Sequence, residues 1–216
     1  MRIRNNGFTL VEMAVVVLIM GLLIGGMLIP LSIQVENAGR QETSKTLENI
    51  SEALLGFAVI HRRLPCPDTD GDGIENAPCA GTEGDVPWAT LGTGQRDAWN
   101  HRIRYRADDK FTDPAWIADS PDTTGGLGIT NLAGTALTTA DPHGPVAIIF
   151  SCGKNGLPDD GNDANGTADN PVCTNPGTPD GTYIQNIYMD DRFDDLLIWV
   201  SKNTLLNRMV AAGQWP

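Results

Sequence analysis

The stretch NNGFTLVEMAVVVLIMG, residues 5–21, opens an apolar run that continues to Ile33. Between Phe8 and Ile33 the only ionisable side chain is that of Glu12. As a helix, the uncharged part of the run would be about 30 Å long, which is enough to cross the hydrocarbon core of a membrane. We therefore predict a single membrane-spanning helix over residues 8–33.

A secretory signal peptide is the alternative interpretation of this run. Such a peptide has an apolar segment of about 7–15 residues, followed by a small-residue cleavage site. The run here is longer, and no A-x-A-like site follows it. Because Arg2 and Arg4 precede the run, the positive-inside rule predicts a cytoplasmic N-terminus and places the rest of the chain outside.

Residues 34–63 continue the helical pattern, but with one polar face. Apolar side chains recur at the i, i+3, i+4 spacing of an amphipathic helix, which needs a partner surface along its length. Pro65 and Pro67 forbid continuation of this helix. The apolar stripe consists of Leu47, Ile50, Leu54, Phe57 and Ala58.

The remainder of the chain, residues 64–216, is rich in Gly, Pro, Asp and Asn. Apolar segments separated by turn-rich segments are typical of an antiparallel sheet. A short C-terminal helix is predicted from its N-cap, Ser201, to its stop at Gly213. The sequence thus predicts an α+β fold, in which a long N-terminal helix packs on a small antiparallel sheet. The strand candidates are residues 101–107, 144–152, 181–189 and 195–201.

Charge and cysteine content restrict the partners and the compartment. The net charge of −12 argues against nucleic acid and against anionic membrane surfaces as partners. The cysteines form no CxxC pair, so zinc-ribbon and thioredoxin-like sites are poor interpretations. Disulfides in an oxidising compartment fit the predicted topology, and four cysteines allow three pairings. The simplest pairing, local in sequence, is Cys66–Cys79 with Cys152–Cys173.

No catalytic pattern stands out in the sequence. His61, His101 and His143 are scattered, and none lies in a zinc-protease or catalytic-triad motif. The glycine-rich stretches match neither a P-loop nor a dinucleotide-binding fingerprint. We therefore expect a protein that is not an enzyme and that carries no organic cofactor.

The segment DTDGDG raises the question of a metal ion. Asp68, Asp70 and Asp72 occupy positions 1, 3 and 5 of an EF-hand loop, but Cys79 stands at position 12, where the bidentate Glu belongs. The segment is therefore not an EF-hand. Two interpretations stay open: a solvated turn held by a Cys66–Cys79 bridge, or a cluster of carboxylates that a Ca²⁺ ion screens.

The hexapeptide GFTLVE, Gly7–Glu12, follows a short basic leader and precedes the apolar run. It resembles the type IV prepilin signature. The resemblance implies that a prepilin peptidase cleaves after Gly7 and that Phe8 is then N-methylated. It also implies that Glu12 pairs with the N-terminal amine of a neighbouring subunit as the helices bundle into a filament. An intramembrane carboxylate does call for a cationic partner, and no Lys or Arg lies within the run.

Two further segments are similar to major pseudopilins of type II secretion. DAWNHRIRY matches their D-x-W-G-x-x-x-x-Y pattern at Asp97, Trp99 and Tyr105, with Asn100 in place of the glycine. FSCGKNGLPDDGNDAN, residues 150–165, resembles their calcium loop, with amides at two positions where aspartates are usual. The resemblance implies a possible Ca²⁺ site among Asp159, Asp160, Asp163 and Asn165.

These resemblances imply a structural subunit, a minor pilin or a pseudopilin, of a type IV pilus or a type II secretion system. Its expected partners are other pilin subunits, the prepilin peptidase and the inner-membrane assembly platform. The head is expected in the periplasm before assembly into a filament. The alternative is a membrane-tethered adhesive or ligand-binding module that uses the acidic loops. The predicted organisation is a leader (1–7), a membrane-spanning helix half (8–33), an amphipathic helix half (34–63) and a globular head (64–216).

Overall fold

The computed structural model describes residues 9–79, 83–116, 126–139, 144–159, 162, 182–189 and 192–214, with the backbone alone for residues 25–31. The chain divides into two compact units, one ending at Gly39 and one beginning at Arg40. Helix α1, Leu10–His61, runs through this division. The predicted domain boundaries stay predictions.

The first unit consists of the N-terminal part of α1. Its side chains from Leu10 to Ile24 are exposed. Across the described residues, no helical segment combines the length and the hydropathy that a membrane span requires. The predicted span over residues 8–33 lies partly outside the described residues and stays a prediction.

The second unit combines helices with two small sheets. The described strands are β1 (Glu83–Asp85), β2 (Arg104–Ala107), β3 (Gly128–Thr130), β4 (Pro145–Ser151), β5 (Thr182–Ile184) and β6 (Leu196–Ser201). A four-stranded antiparallel sheet has the order β1-β2-β4-β6, and β3 pairs in parallel with β5. The helices are α2 (Trp88–Leu91) and α3 (Lys202–Ala211), with a 3₁₀ turn at Asp109–Phe111.

The main core forms where α1 packs on the four-stranded sheet. The predicted apolar stripe is confirmed, because each of its members is buried. Buried side chains from β2, β4 and α3 complete the cluster, among them Tyr105, Ile149 and Leu205. Strand β4 is buried along its whole length, because a second cluster that includes Ile148 and Phe150 covers its other face. This double burial explains why β4 reads as a continuous apolar run.

One strand prediction is wrong in its pairing. Residues 181–189 were expected to join the antiparallel sheet, but β5 spans only Thr182–Ile184 and pairs with β3 in parallel. The short polar strand β1 takes an edge of the main sheet instead, held to β2 and to Asp68 by backbone hydrogen bonds. Strands of three residues carry too little alternation to reveal their partners, so long-range packing decides the pairing.

Helix α3 begins and ends as its sequence predicts. The Ser201 hydroxyl accepts a hydrogen bond from the Thr204 backbone N–H at 3.1 Å, which makes Ser201 the N-cap. At the other end Gly213 has φ +67°, a left-handed conformation that glycine adopts without strain. The backbone N–H groups of Gly213 and Gln214 donate to Val210 and Met209, which is the Schellman pattern.

Candidate functional site

Glu12 lies in the first turn of α1, where it forms a reciprocal cap with Thr9. The Thr9 hydroxyl accepts a hydrogen bond from the Glu12 backbone N–H at 3.3 Å, and the Glu12 carboxylate accepts one from the Thr9 backbone N–H at 3.4 Å. This is a capping box, and a negative charge there also complements the helix dipole. Glu12 therefore has a local role besides the predicted intermolecular one. Gly7 and Phe8 lie outside the described residues.

The predicted local disulfide is present in the head. Cys66 and Cys79 are bonded, with a Cα–Cα distance of 5.1 Å. Cys152 is also disulfide-bonded, and its predicted partner, Cys173, lies outside the described residues. The first disulfide closes the loop that carries the DTDGDG segment.

Within that loop the carboxylates bind the backbone of their own turn. Asp68 accepts hydrogen bonds from the Gly71 and Gly73 N–H groups at 2.6 and 2.7 Å, one on each oxygen. Asp70 accepts from the Asp72 N–H at 3.3 Å. One oxygen from each of these three aspartates lies within 4.8 Å of the others. Although the three oxygens could approach one metal ion, the loop's own N–H groups already stabilise their charge.

A second acidic cluster lies elsewhere in the head. Asp159, Asp194 and Asp195 each place a carboxylate oxygen within 4.8 Å of the other two. Asp159 accepts from the Asp194 N–H at 2.6 Å, and Asp195 accepts from the Asp159 N–H at 2.9 Å. One buried oxygen of Asp194 and one of Asp195 have no hydrogen-bond partner. The backbone thus holds three carboxylates together and leaves two oxygens unsatisfied.

The pKa values distinguish the two acidic clusters. In the first, the Asp72 N–H and then the Asn76 amide lower the pKa of Asp70. In the second, burial followed by the neighbouring Asp159 raises the pKa of Asp194 to about 6. Burial, together with the other two carboxylates, also raises the pKa of Asp195 well above its usual range. Negative charge is stabilised on Asp70 and disfavoured on Asp194 and Asp195, so the second cluster has more to gain from a bound cation.

The donor set of the second cluster suits a hard cation. All three side chains offer carboxylate oxygens, and a divalent ion would satisfy the two oxygens without partners while relieving the repulsion. Asn162 supports the cluster, because its amide donates to Asp195 at 2.8 Å and to the Ile184 carbonyl of β5 at the same distance. Residues Asp159, Asp194 and Asp195 therefore form the best-fitted candidate metal site in the described part of the chain.

Asp97, in the segment before β2, contacts Ser151 at the end of β4. Its carboxylate accepts from the His101 N–H at 2.8 Å and from the Ser151 hydroxyl at 2.6 Å. Asn100 lies in the turn between Asp97 and His101 and has φ +71°. A left-handed residue explains why a glycine fits this position in the D-x-W-G pattern and why asparagine can replace it.

Only part of this candidate metal site was predicted from the sequence. Asp159 belongs to it, whereas Asp160, Asp163 and Asn165 lie outside the described residues. Asp194 and Asp195 were missed, although an acidic pair directly before a buried apolar strand was visible in DDLLIWVS. The fold brings this pair, more than thirty residues further along the chain, against Asp159.

Comparison with known proteins bears on the N-terminal segment. Residues 2–28 match the prokaryotic N-terminal methylation motif. This motif is the prepilin-type signal of type IV pilins and pseudopilins, so the predicted signal is confirmed. No curated protein and no solved structure matches the chain.

Proposed function

We propose that the chain is a structural subunit, a minor pilin or a pseudopilin, of a bacterial type IV pilus or type II secretion system. The observation that carries this proposal is the methylation motif at residues 2–28, a span that includes Gly7, Phe8 and Glu12. The subunit would be processed by a prepilin peptidase on the cytoplasmic side of the inner membrane. Its apolar N-terminal helix would then pass from the membrane into the core of a filament, while the head lies in the periplasm.

The fold of the head supports this role. Within the second unit, α1 packs through its apolar stripe against an antiparallel sheet, an arrangement compatible with a pilin-like fold. The apolar side chains from Leu10 to Ile24 are exposed in the single chain, and association in a membrane or a filament would bury them. We accordingly propose a pilin-like fold and membrane anchoring through this segment.

We also propose that the cluster of Asp159, Asp194 and Asp195 binds Ca²⁺ in the periplasm. The two carboxylate oxygens without partners and the raised pKa values support a cation at this position. Ca²⁺ accepts six to eight oxygen ligands in flexible geometry, whereas Mg²⁺ demands a tighter octahedral site. Calcium would here hold Asp159, which follows β4 along the chain, to Asp194 and Asp195, which directly precede β6.

N-terminal processing is the first test of the proposed function. Mass spectrometry of the protein isolated from membranes is expected to show an N-terminus at Phe8 that carries one methyl group. A bulky replacement of Gly7, such as Gly7→Leu, is expected to leave the leader uncleaved, and Gly7→Ala to slow cleavage much less. An unprocessed N-terminus at Met1 in the native protein would contradict the proposal.

Assembly tests the charge of Glu12 separately from its capping role. Glutamine also serves in a capping box, so Glu12→Gln keeps the cap and removes only the charge. We expect this variant to be processed normally, while its recovery in sheared filaments falls about tenfold or more, because each 1.4 kcal/mol of lost pairing weakens association tenfold.

The matched control for this experiment is Thr9→Ala. It removes the hydroxyl of the cap, at a cost of about 1 kcal/mol in helix stability, and keeps the carboxylate. We expect Thr9→Ala to enter filaments at close to the native level. Native assembly by Glu12→Gln would mean that Glu12 is a helix cap only.

A further inference from the structure

His101 contacts the loop that follows β4 at two points. Its Nδ1 lies 2.8 Å from the Gly153 carbonyl oxygen, and because a carbonyl only accepts, Nδ1 carries the proton and donates. The ring also lies against Gly156, where an added Cβ would come within 2.8 Å of Nε2. The imidazole therefore fixes both the direction of one peptide group and the approach of the next turn.

A network around Asp97 holds His101 and Gly153 together. Asp97 binds the His101 backbone N–H and the Ser151 hydroxyl, as described above. The Ser151 oxygen in turn accepts from the Gly153 N–H at 3.1 Å. Gly153 is thus held by its N–H through Ser151 and by its carbonyl through His101. The Asp97 and Ser151 side chains are buried, so water competes little with these bonds.

Gly153 in turn lies directly against Asp194. It has φ +58°, and an added Cβ would lie 2.5 Å from the Asp194 carbonyl oxygen and 2.6 Å from its Cγ. Two residues further on, the Asn155 backbone N–H donates to the Asp194 carboxylate at 2.9 Å. The turn at residues 153–155 therefore sets the position of Asp194, and the imidazole of His101 sets the position of that turn.

We propose that His101 is a positioning residue for the divalent-cation site at Asp159, Asp194 and Asp195, acting through the Gly153 carbonyl. This role rests on the calcium site of the proposed function. Partners that orient metal ligands without touching the metal typically change metal affinity 10–100-fold when they are mutated. The proposal therefore predicts an effect on calcium affinity that exceeds any effect on the stability of the calcium-free protein.

The test is calorimetric titration of Ca²⁺ into the full-length protein in detergent. His101→Phe keeps a ring against Gly156 and removes the donor, and we expect it to weaken calcium binding about 10–100-fold. His101→Asn places an amide N–H close to the position of Nδ1 and is expected to keep most of the native affinity. His61→Phe is the matched control, because His61 stacks on Phe57 at the end of α1. The calcium affinity of this variant should be that of the native protein.

The melting temperature in chelator distinguishes positioning from a general structural role. We expect His101→Phe to melt close to the native protein in chelator, and well below it in calcium. If His101→Phe does not fold, His101→Ala removes the same donor without the ring and replaces it in the test. Native affinity in the variant, or an equal loss of melting temperature in calcium and in chelator, would overturn the positioning role alone. Failure of the native protein to bind calcium would overturn the metal site itself.

Discussion

In excess Ca²⁺ the native protein is expected to melt on the order of 5–10 °C higher than in chelator, and Asp195→Asn is expected to lose this difference. A ligand at a hundred times its Kd stabilises a protein by about 2.7 kcal/mol, and a chain of this size gains about 2–4 °C for each kcal/mol. Asp195 is the most buried carboxylate of the cluster, with 4 % of its surface exposed. Its loss should therefore remove most of the metal affinity.

The same substitution should act in the opposite direction without metal. In chelator the Asp195 carboxylate lies beside two others, and one of its buried oxygens has no hydrogen-bond partner. Asparagine keeps an oxygen that can accept from the Asp159 N–H and the Asn162 amide, but it removes the charge. We therefore expect Asp195→Asn to melt above the native protein in chelator and below it in calcium.

The control for this experiment is Asp72→Asn in the other acidic cluster. Because the turn there already stabilises its own carboxylates, we expect Asp72→Asn to keep the full calcium response. Loss of the response in Asp72→Asn but not in Asp195→Asn would move the site to the DTDGDG loop. Identical melting of the native protein in calcium and in chelator would contradict both sites.

Acid should weaken the calcium response in a defined window. The pKa of Asp194 is raised to about 6, so protons compete with calcium below that pH, and the response should fade there. In chelator the Asp194 carboxyl binds a proton more tightly in the native state than in the unfolded chain, where the pKa of Asp is about 3.9. The stabilisation that this group provides is therefore present below about pH 4 and is lost as the pH rises through about 6.

Removal of the Cys66–Cys79 disulfide is expected to lower the melting temperature by on the order of 6–12 °C. The two cysteines are 13 residues apart, and closing a loop of about this length is worth about 3 kcal/mol in chain entropy. The closed segment has few apolar side chains of its own to order it, and Cys66 is among its few buried groups. The variant Cys66→Ser/Cys79→Ser, followed by circular dichroism on heating, measures the effect.

Two other contacts also hold this loop in place. Arg63 and Glu75 form an ion pair at 2.7 Å across the loop, and the backbones of Asp68 and Asp85 exchange hydrogen bonds. An unchanged melting temperature in the double serine variant would mean that these contacts hold the loop without the disulfide.

Thiol titration of the same variant should detect no free thiol, since no described cysteine is free in the native protein.

Local patterns in the sequence determined several elements of the structure. The i, i+3, i+4 stripe of α1, the continuous apolar run of β4 and the Ser201 cap of α3 each depend on neighbours within a few residues. The Cys66–Cys79 pair was the simplest of the pairings that the sequence left open, because closing a short loop loses little chain entropy, and the structure confirms it. The capping box of Thr9 and Glu12 was not predicted, although it too is a local pattern of the form T-x-x-E.

Tertiary structure alone decided the remaining features. The parallel pairing of β3 with β5 and the edge position of β1 depend on strands of three residues, whose own preferences are too weak to select a partner. The acidic cluster likewise required Asp194 and Asp195 to meet Asp159 from a distant part of the chain. Burial and mutual repulsion raise the pKa values of Asp194 and Asp195, and both causes arise only when the folded backbone brings the three carboxylates together, which no local pattern encodes.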